Sequence, residues 1–146
     1  MRIDLRDEPF EPLAELGCYQ AGLDERLGGR YGAMAIFIGT MRDENEGDPV
    51  RGMTLEHYPG MTERHLERIV ETACREWPLL DALVIHRIGE LRPNDSIVLV
   101  ATWSGHRAAA FAACRFIMEE LKSKAPFWKR EDTVAGSRWV KHNTPG

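Results

Sequence analysis

Lysine is missing from the first 121 residues: Lys122, Lys124, Lys129 and Lys141, the only four in this 146-residue chain, all follow that point. Cysteine is scarce as well. Cys18, Cys74 and Cys114 are odd in number, far apart and without a C-x-x-C pair, which argues against a disulfide framework and for a reducing compartment. One of them could be a nucleophile, but three small buried hydrophobes is the simpler reading. No apolar run approaches the ~20 residues that a membrane-spanning helix needs. Met1 to Glu8 is charged, so no signal peptide is read there. The histidines (His57, His65, His86, His106, His142) lack metal-ligand spacing, so neither a bound metal nor another cofactor is expected. Also absent are a G-x-S-x-G nucleophile elbow, a glycine-rich nucleotide loop, repeats and an interdomain linker. These absences leave one soluble, cytosolic domain spanning residues 1–146.

Hydrophobic residues make up 43% of the chain and charged residues 29%, enough for a packed core and inconsistent with disorder. The net charge of -4 hides an asymmetry. Residues 1–85 carry nine arginines against seventeen acids, whereas residues 86–146 carry ten lysines and arginines against six acids. A basic C-terminal part on an acidic protein suggests a local anion site; the acidic total disfavours nucleic acid as a partner. A solvated basic face is the plainer alternative.

Periodicity outlines the elements. Ile3–Leu5 predicts a short strand and Glu11–Gln20 a short helix, with Gly28-Gly29 as breaker. Gly32–Met41 is apolar on both alternating faces, as a central strand would be. Asp43–Pro49 reads as a loop and Gly52–Tyr58 as a strand. Thr62–Trp77 places Leu66, Ile69, Val70, Ala73 and Trp77 on one helical face, with Thr62 as cap and Pro78 as stop. Leu83–Leu91 and Ile97–Trp103, joined by Arg92-Pro-Asn-Asp95, predict an antiparallel hairpin. His106–Lys124 is a second amphipathic helix ended by Pro126, and Phe127–Thr133 and Ser137–Lys141 are extended. This order suggests an α+β domain, mostly antiparallel.

Arg42 sits where an apolar strand runs into a polar loop and could grip a phosphate or carboxylate with paired hydrogen bonds; from position alone, an ordinary surface arginine is the plainer reading. Ser104-Gly105-His106-Arg107 joins a strand to an alanine-rich helix. Free N–H groups and the helix dipole attract anions there, and Gly105 would let the backbone come close. Lys122 follows core-facing Leu121, at the edge of the buried face. Partial desolvation and nearby cations such as Arg130 or Arg107 would disfavour its charge and suit it to proton transfer or nucleophilic attack. Lys129 lies in Ala125-Pro-Phe-Trp-Lys-Arg-Glu131, where stiff aromatics could fix its direction and Glu131 could orient Lys129 or Arg130 through an ion pair. A snorkelling surface lysine is the alternative for each.

Several ordered blocks together resemble one family. Gly32-Ala33, Phe37, Gly39 and Arg42 are followed by Leu55-Glu56-His57-Tyr58, Met61 and His86-Arg87-Ile88-Gly89. Ser104-x-His106-Arg107, Phe111, Leu121-Lys122 and Pro126 to Glu131 come next, and Gly136 and Trp139 close the series. From about Gly32 to Trp139 the chain is similar to the large, catalytic subunits of molybdopterin synthases. Gly105 stands where alanine is common and Met41 where valine is common, both small packing changes.

The resemblance implies an α/β-hammerhead fold with added strands. It implies a sulfurtransferase that converts cyclic pyranopterin monophosphate to molybdopterin. The sulfur donor would be the thiocarboxylated Gly-Gly terminus of a small ubiquitin-like carrier, and the assembly a central homodimer with a carrier at each end. Lys122 and Lys129 would be catalytic, and Thr40, Met41, Arg42, His106, Arg107, Arg130 and Glu131 would shape the substrate site. The chain ends Thr144-Pro145-Gly146 rather than Gly-Gly, so it is expected to borrow its sulfur donor.

Geometry adds one expectation. On a straight helix Arg107 and Lys122, fifteen residues apart, are separated by roughly 22 Å, too far for one small-molecule pocket. Lys122 and Lys129 of one subunit would then face His106 and Arg107 of the other. The competing function is a non-catalytic module that docks a ubiquitin-like partner.

Overall fold

Twelve elements make up residues 1–140, the part that the computed structural model describes; residues 141–146, with Lys141, His142 and the final Thr-Pro-Gly among them, lie outside it. The first sheet is built from β1 (Arg2–Arg6), β2 (Ala33–Thr40), β5 (Leu79–Arg87) and β7 (Ser96–Ser104), in the order β1-β5-β7-β2. The second holds β3 (Glu44–Asn45), β4 (Asp48–His57), β8 (Phe127–Thr133) and β9 (Gly136–Trp139), with β6 (Gly89–Leu91) also paired to β4. Only β1 and β5 run parallel; the other pairings are antiparallel. With the helices α1 (Pro12–Leu27), α2 (Met61–Glu76) and α3 (Arg107–Ser123), this is the expected α+β, mostly antiparallel fold.

Alternation along β5 and β7 divides the core in two. Ala82, Val84, Val98 and Val100 point toward α2 and α3. Leu83, Ile85, Leu99, Ala101 and Trp103 point the other way, where Leu16 and Leu23 of α1 cover them. Each fully buried aliphatic chain contributes about 1.5–3 kcal/mol, so both faces of these strands need a helix. A smaller core of Met41, Val50, Met53, Leu55 and Leu91 closes the second sheet.

Several boundaries differ from the sequence expectations, each for a local reason. α1 continues to Leu27, because Leu16 and Leu23, two turns apart, both meet the sheet. β2 is an edge strand, not a central one, and its apolar Ile36 and Phe37 are 41% and 42% exposed. Asp43–Pro49 is not a plain loop: Glu44 and Asn45 pair with Pro49 and Asp48 across a tight turn. Glu46 (φ 53°) and Gly47 (φ 82°) supply the two positive φ angles that a type I′ hairpin requires. Leu83–Leu91 is two strands, since the chain bends at Gly89 (φ 80°) and β6 leaves to pair with β4. The Arg92–Asp95 turn, in which Asp95 accepts the Arg92 N–H at 2.8 Å, therefore links β6 to β7. β5 and β7 still pair antiparallel, but not as a direct hairpin. Thr62 is not the cap of α2, which Gly60 precedes. Its buried hydroxyl accepts the Tyr58 N–H (3.0 Å) and donates to the Pro126 carbonyl (3.3 Å), tying α2 to the segment entering β8. Of the cysteines only Cys114 is buried; Cys18 and Cys74 are exposed.

The close backbone contact at this junction is made by Gly32. A Cβ on Gly105 would meet open space, whereas one on Gly32 would lie 2.7 Å from the Gly105 carbonyl oxygen. The Gly32 N–H also donates to the Ser104 carbonyl (3.0 Å). Gly32→Ala must therefore push β2 away from the entrance of α3. The expected cost is about 1–3 kcal/mol, read as a lower denaturation midpoint at unchanged m-value; Gly105→Ala, the control, should change it by less than about 0.5 kcal/mol.

Candidate active site

A cavity of about 750 Å³ opens between the two sheets and the C-terminal half of α3. Strand β8 supplies its charged floor by period-two alternation. Phe127, Lys129 and Glu131 line the cavity, while Trp128 and Arg130 fall on the opposite face. There Trp128 and Trp139 border a second, smaller hollow with Tyr58, and the Arg130 guanidinium lies 5.9 Å over the Trp139 ring. α3 delivers Lys122 from its last turn, one residue past buried Leu121. The end of β2 delivers Thr40, buried Met41 and exposed Arg42. Two backbone hydrogen bonds fasten Met41 to the β6–β7 turn, Met41 N–H to Asp95 O (2.9 Å) and Asn94 N–H to Met41 O (2.8 Å).

Six of the nine expected site residues thus share one cavity: Thr40, Met41, Arg42, Lys122, Lys129 and Glu131. Arg130 is turned away from it. His106 and Arg107 lie at the other end of α3, His106 as its N-cap and Arg107 as its first residue. Both are exposed, no side chain among the described residues caps the helix, and its first turn carries no acid, which favours an anion there. Roughly 22 Å of helix separates that end from Lys122.

The two lysines are coupled. Lys129 is pushed down from 10.5 to about 8, first by burial and then by the charge and hydrogen-bonding proximity of Lys122; Glu131 opposes the shift. The perturbing cation is therefore Lys122 acting on Lys129, where the sequence suggested Arg130 or Arg107 acting on Lys122. Glu131, 6% exposed, forms its ion pair with Arg138 (Nε to Oε2, 3.2 Å) rather than with Lys129 or Arg130. It also accepts the Asn45 Nδ2–H (2.8 Å). These partners hold a buried carboxylate near enough to Lys129 to oppose its shift. A half-buried amine near its own pKa can take or give a proton at neutral pH, which suits acid–base work.

Four chemically distinctive wall residues were not among the nine expected, although Cys114 was one of the three cysteines weighed as a nucleophile. Asn45 belongs to the unexpected hairpin, and Arg115 stands one α3 position past Cys114. Cys114 lines the cavity too, but burial pushes its thiol up to about 11 and the Sγ–H points at the Val100 carbonyl (3.9 Å), so it packs rather than reacts. His86, buried at the end of β5, is the fourth. The alternation Ala82, Val84, His86 was the signal that could have placed it on the α3 side. At the rim, Ile36, Phe37 and Phe111 expose apolar surface.

Residues 11–124 match the family described as MoaE protein. A molybdopterin synthase catalytic subunit of Ralstonia nicotianae is 56% identical over 138 residues, covering 94% of this chain and 76% of that one. Among solved structures, a molybdopterin biosynthesis MoaE protein from Burkholderia ambifaria superposes with a TM-score of 0.78 at 45% identity, over 99% and 91% of the two chains. A complex of subunits 1 and 2 of molybdopterin-converting factor from Helicobacter pylori shares the fold, with a TM-score of 0.78 at 19% identity, over 95% and 90% of the chains.

Proposed function

The chain belongs to the MoaE family of molybdopterin synthase catalytic subunits, and on that premise we propose how it works. Residues 1–146 act as one catalytic unit that moves two sulfurs onto cyclic pyranopterin monophosphate and forms the molybdopterin dithiolene. The donor is the thiocarboxylated C-terminus of a small ubiquitin-like carrier, each transfer returning that terminus as a carboxylate. Lys122 and Lys129 carry the proton transfers of ring opening and sulfur addition. Thr40, Met41 and Arg42 hold the substrate at the end of β2, and Glu131 keeps a fixed negative charge beside Lys129. Arg130 contributes from behind β8, through the position of the strand. The cytoplasm is the proposed site of action, in keeping with three cysteines in no disulfide. No helix among the described residues is long and apolar enough to cross a membrane.

The observation that carries this reading is the lysine pair inside the cavity, with Lys129 near 8. A docking module would need neither a half-buried amine nor a second one beside it. A phosphate still requires cationic donors, and Arg42 is a monomer's own contribution from the expected set. His106 and Arg107 of a second copy would complete the site, in a homodimer with one carrier at each end. Apolar Ile36, Phe37 and Phe111 at the rim and the open edge of β2 support such a contact.

Product formation tests the proposal. The protein is mixed with a thiocarboxylated carrier and cyclic pyranopterin monophosphate, and molybdopterin is assayed as its oxidised fluorescent derivative. Wild-type protein should give product, and Lys122→Ala should give less by about 10²-fold or more. Equal product from both would remove Lys122 from the mechanism. No product from either, with carrier binding intact, would favour a docking module.

A further inference from the structure

His86 ends the buried row Ala82–Val84–His86 on β5 and reaches the cavity wall. It is 9% exposed and held on two sides. Its ring stacks on Phe127, with centroids 4.2 Å apart and planes 12° from parallel. Phe127 lies two residues before Lys129 on the same face of β8. Nδ1 lies 2.7 Å from the Arg87 carbonyl oxygen. A carbonyl can only accept, so Nδ1 carries the proton, and Nε2, on the opposite edge of the ring, is left with a bare lone pair. Burial pushes the imidazole down to about 4, and the positive charges of Lys129 and Lys122 push the same way. The ring is therefore a neutral acceptor throughout the physiological range, next to two amines rich in donors.

We propose that His86 is a positioning residue of this site: its Nε2 accepts a hydrogen bond from the Lys129 amine and aims that amine into the cavity. A carboxylate in the same place would also hold the lysine, but would lock it as an ammonium. A neutral acceptor fixes direction and leaves the proton free to move. The stack on Phe127 and the Arg87 carbonyl set the ring's rotation, so the lysine's aim is fixed by β5 as well as by its own strand. The inference rests on the catalytic role proposed for Lys129.

Three variants separate the ring's contacts. His86→Phe keeps the stack, and His86→Asn keeps a donor for the Arg87 carbonyl; neither presents an acceptor where Nε2 stands. His86→Gln restores an acceptor at that reach. In the molybdopterin assay, His86→Phe and His86→Asn should lose about 10- to 100-fold in kcat, with KM for the pterin within twofold, and His86→Gln should recover most of the loss. A kcat within twofold of wild type for the Phe or Asn variant would overturn the proposal, as would a Gln variant no better than Phe.

Should these variants not fold, nitrogen-15 histidine spectra of the wild type decide. The expected signature is protonated Nδ1 and bare Nε2 from pH 5 to 9, with the Nε2 resonance shifted by Lys129→Ala. A protonated Nε2, or no response to Lys129→Ala, would overturn it. Lys129→Ala in the assay separates the two levels. Full activity there removes the lysine role itself, whereas a dead Lys129→Ala beside normal His86 variants removes only this inference.

Discussion

Lys129→Met will lose about 10²- to 10⁴-fold in turnover, the usual contribution of a positioned acid or base, and will at the same time melt at a higher temperature than wild type at pH 7. Methionine keeps the stem and removes the amine, so both effects trace to one nitrogen. The native state holds that nitrogen near 8 against 10.5 in the unfolded chain, because burial and Lys122 disfavour its charge. Below pH 8 the folded protein carries a partly desolvated ammonium at a cost, and the Met variant avoids it. Between 8 and 10.5 the unfolded chain binds the proton and the native state does not, so wild-type stability rises with pH. The variant's advantage should accordingly be full below pH 8 and shrink toward 10.5.

If the working form is the free amine, wild-type turnover should rise as pH passes about 8. The groups around it are Lys122 from α3, His86 from β5 and Glu131 from its own strand. Thermal melts across pH 6 to 10 and a pH–rate profile check both halves. A Met variant with wild-type turnover, or a melting difference that ignores pH, would remove Lys129 from the proposed chemistry. A stabilised but inactive variant is the expected signature of a group kept for function against stability.

The sequence showed most clearly what depends on periodicity. The α2 face of Leu66, Ile69, Val70 and Ala73 and the span of α3 were readable because one helical stripe must be buried. Long-range pairing was not. Nothing local in Gly32–Met41 says that β2 will end the sheet order of the described residues, and nothing in Leu83–Leu91 says that β6 will desert to the other sheet. The short hairpin at Glu46-Gly47 was hidden by a polar composition that reads as loop. In the site, period two along β8 would have separated Arg130 from Lys129 and Glu131, since neighbours on a strand cannot face one way, but the family resemblance grouped all three. The partners of charges were not available at all. Glu131 finds Arg138 only because β9 folds back on β8, bringing their paired positions together, and Lys122 finds Lys129 only because α3 turns sharply into β8 at Pro126.

Two inactive variants, Arg107→Ala and Lys122→Ala, should regain activity when mixed. Within one chain the two positions stand at opposite ends of α3, roughly 22 Å apart, and the cavity that holds Lys122 does not include Arg107. A site needing both must draw them from two copies around a two-fold axis. Random reassortment makes half of the dimers mixed. Each mixed dimer contains one site with neither substitution and one with both. The expected recovery is about a quarter of wild-type turnover, rising with time if subunits exchange slowly.

Each variant assayed alone gives the baseline, and co-expression with two purification tags isolates the mixed dimer, which should reach about half. Lys122→Ala mixed with Lys129→Ala is the control. Both of those residues line one copy's cavity, so every site in that mixture keeps a defect and no activity returns. Recovery in the first mixture and not in the second would assign the anion-binding end of α3 to the partner subunit's cavity. No recovery in either, with mixed dimers present, would confine the site to a single chain and leave His106 and Arg107 outside it.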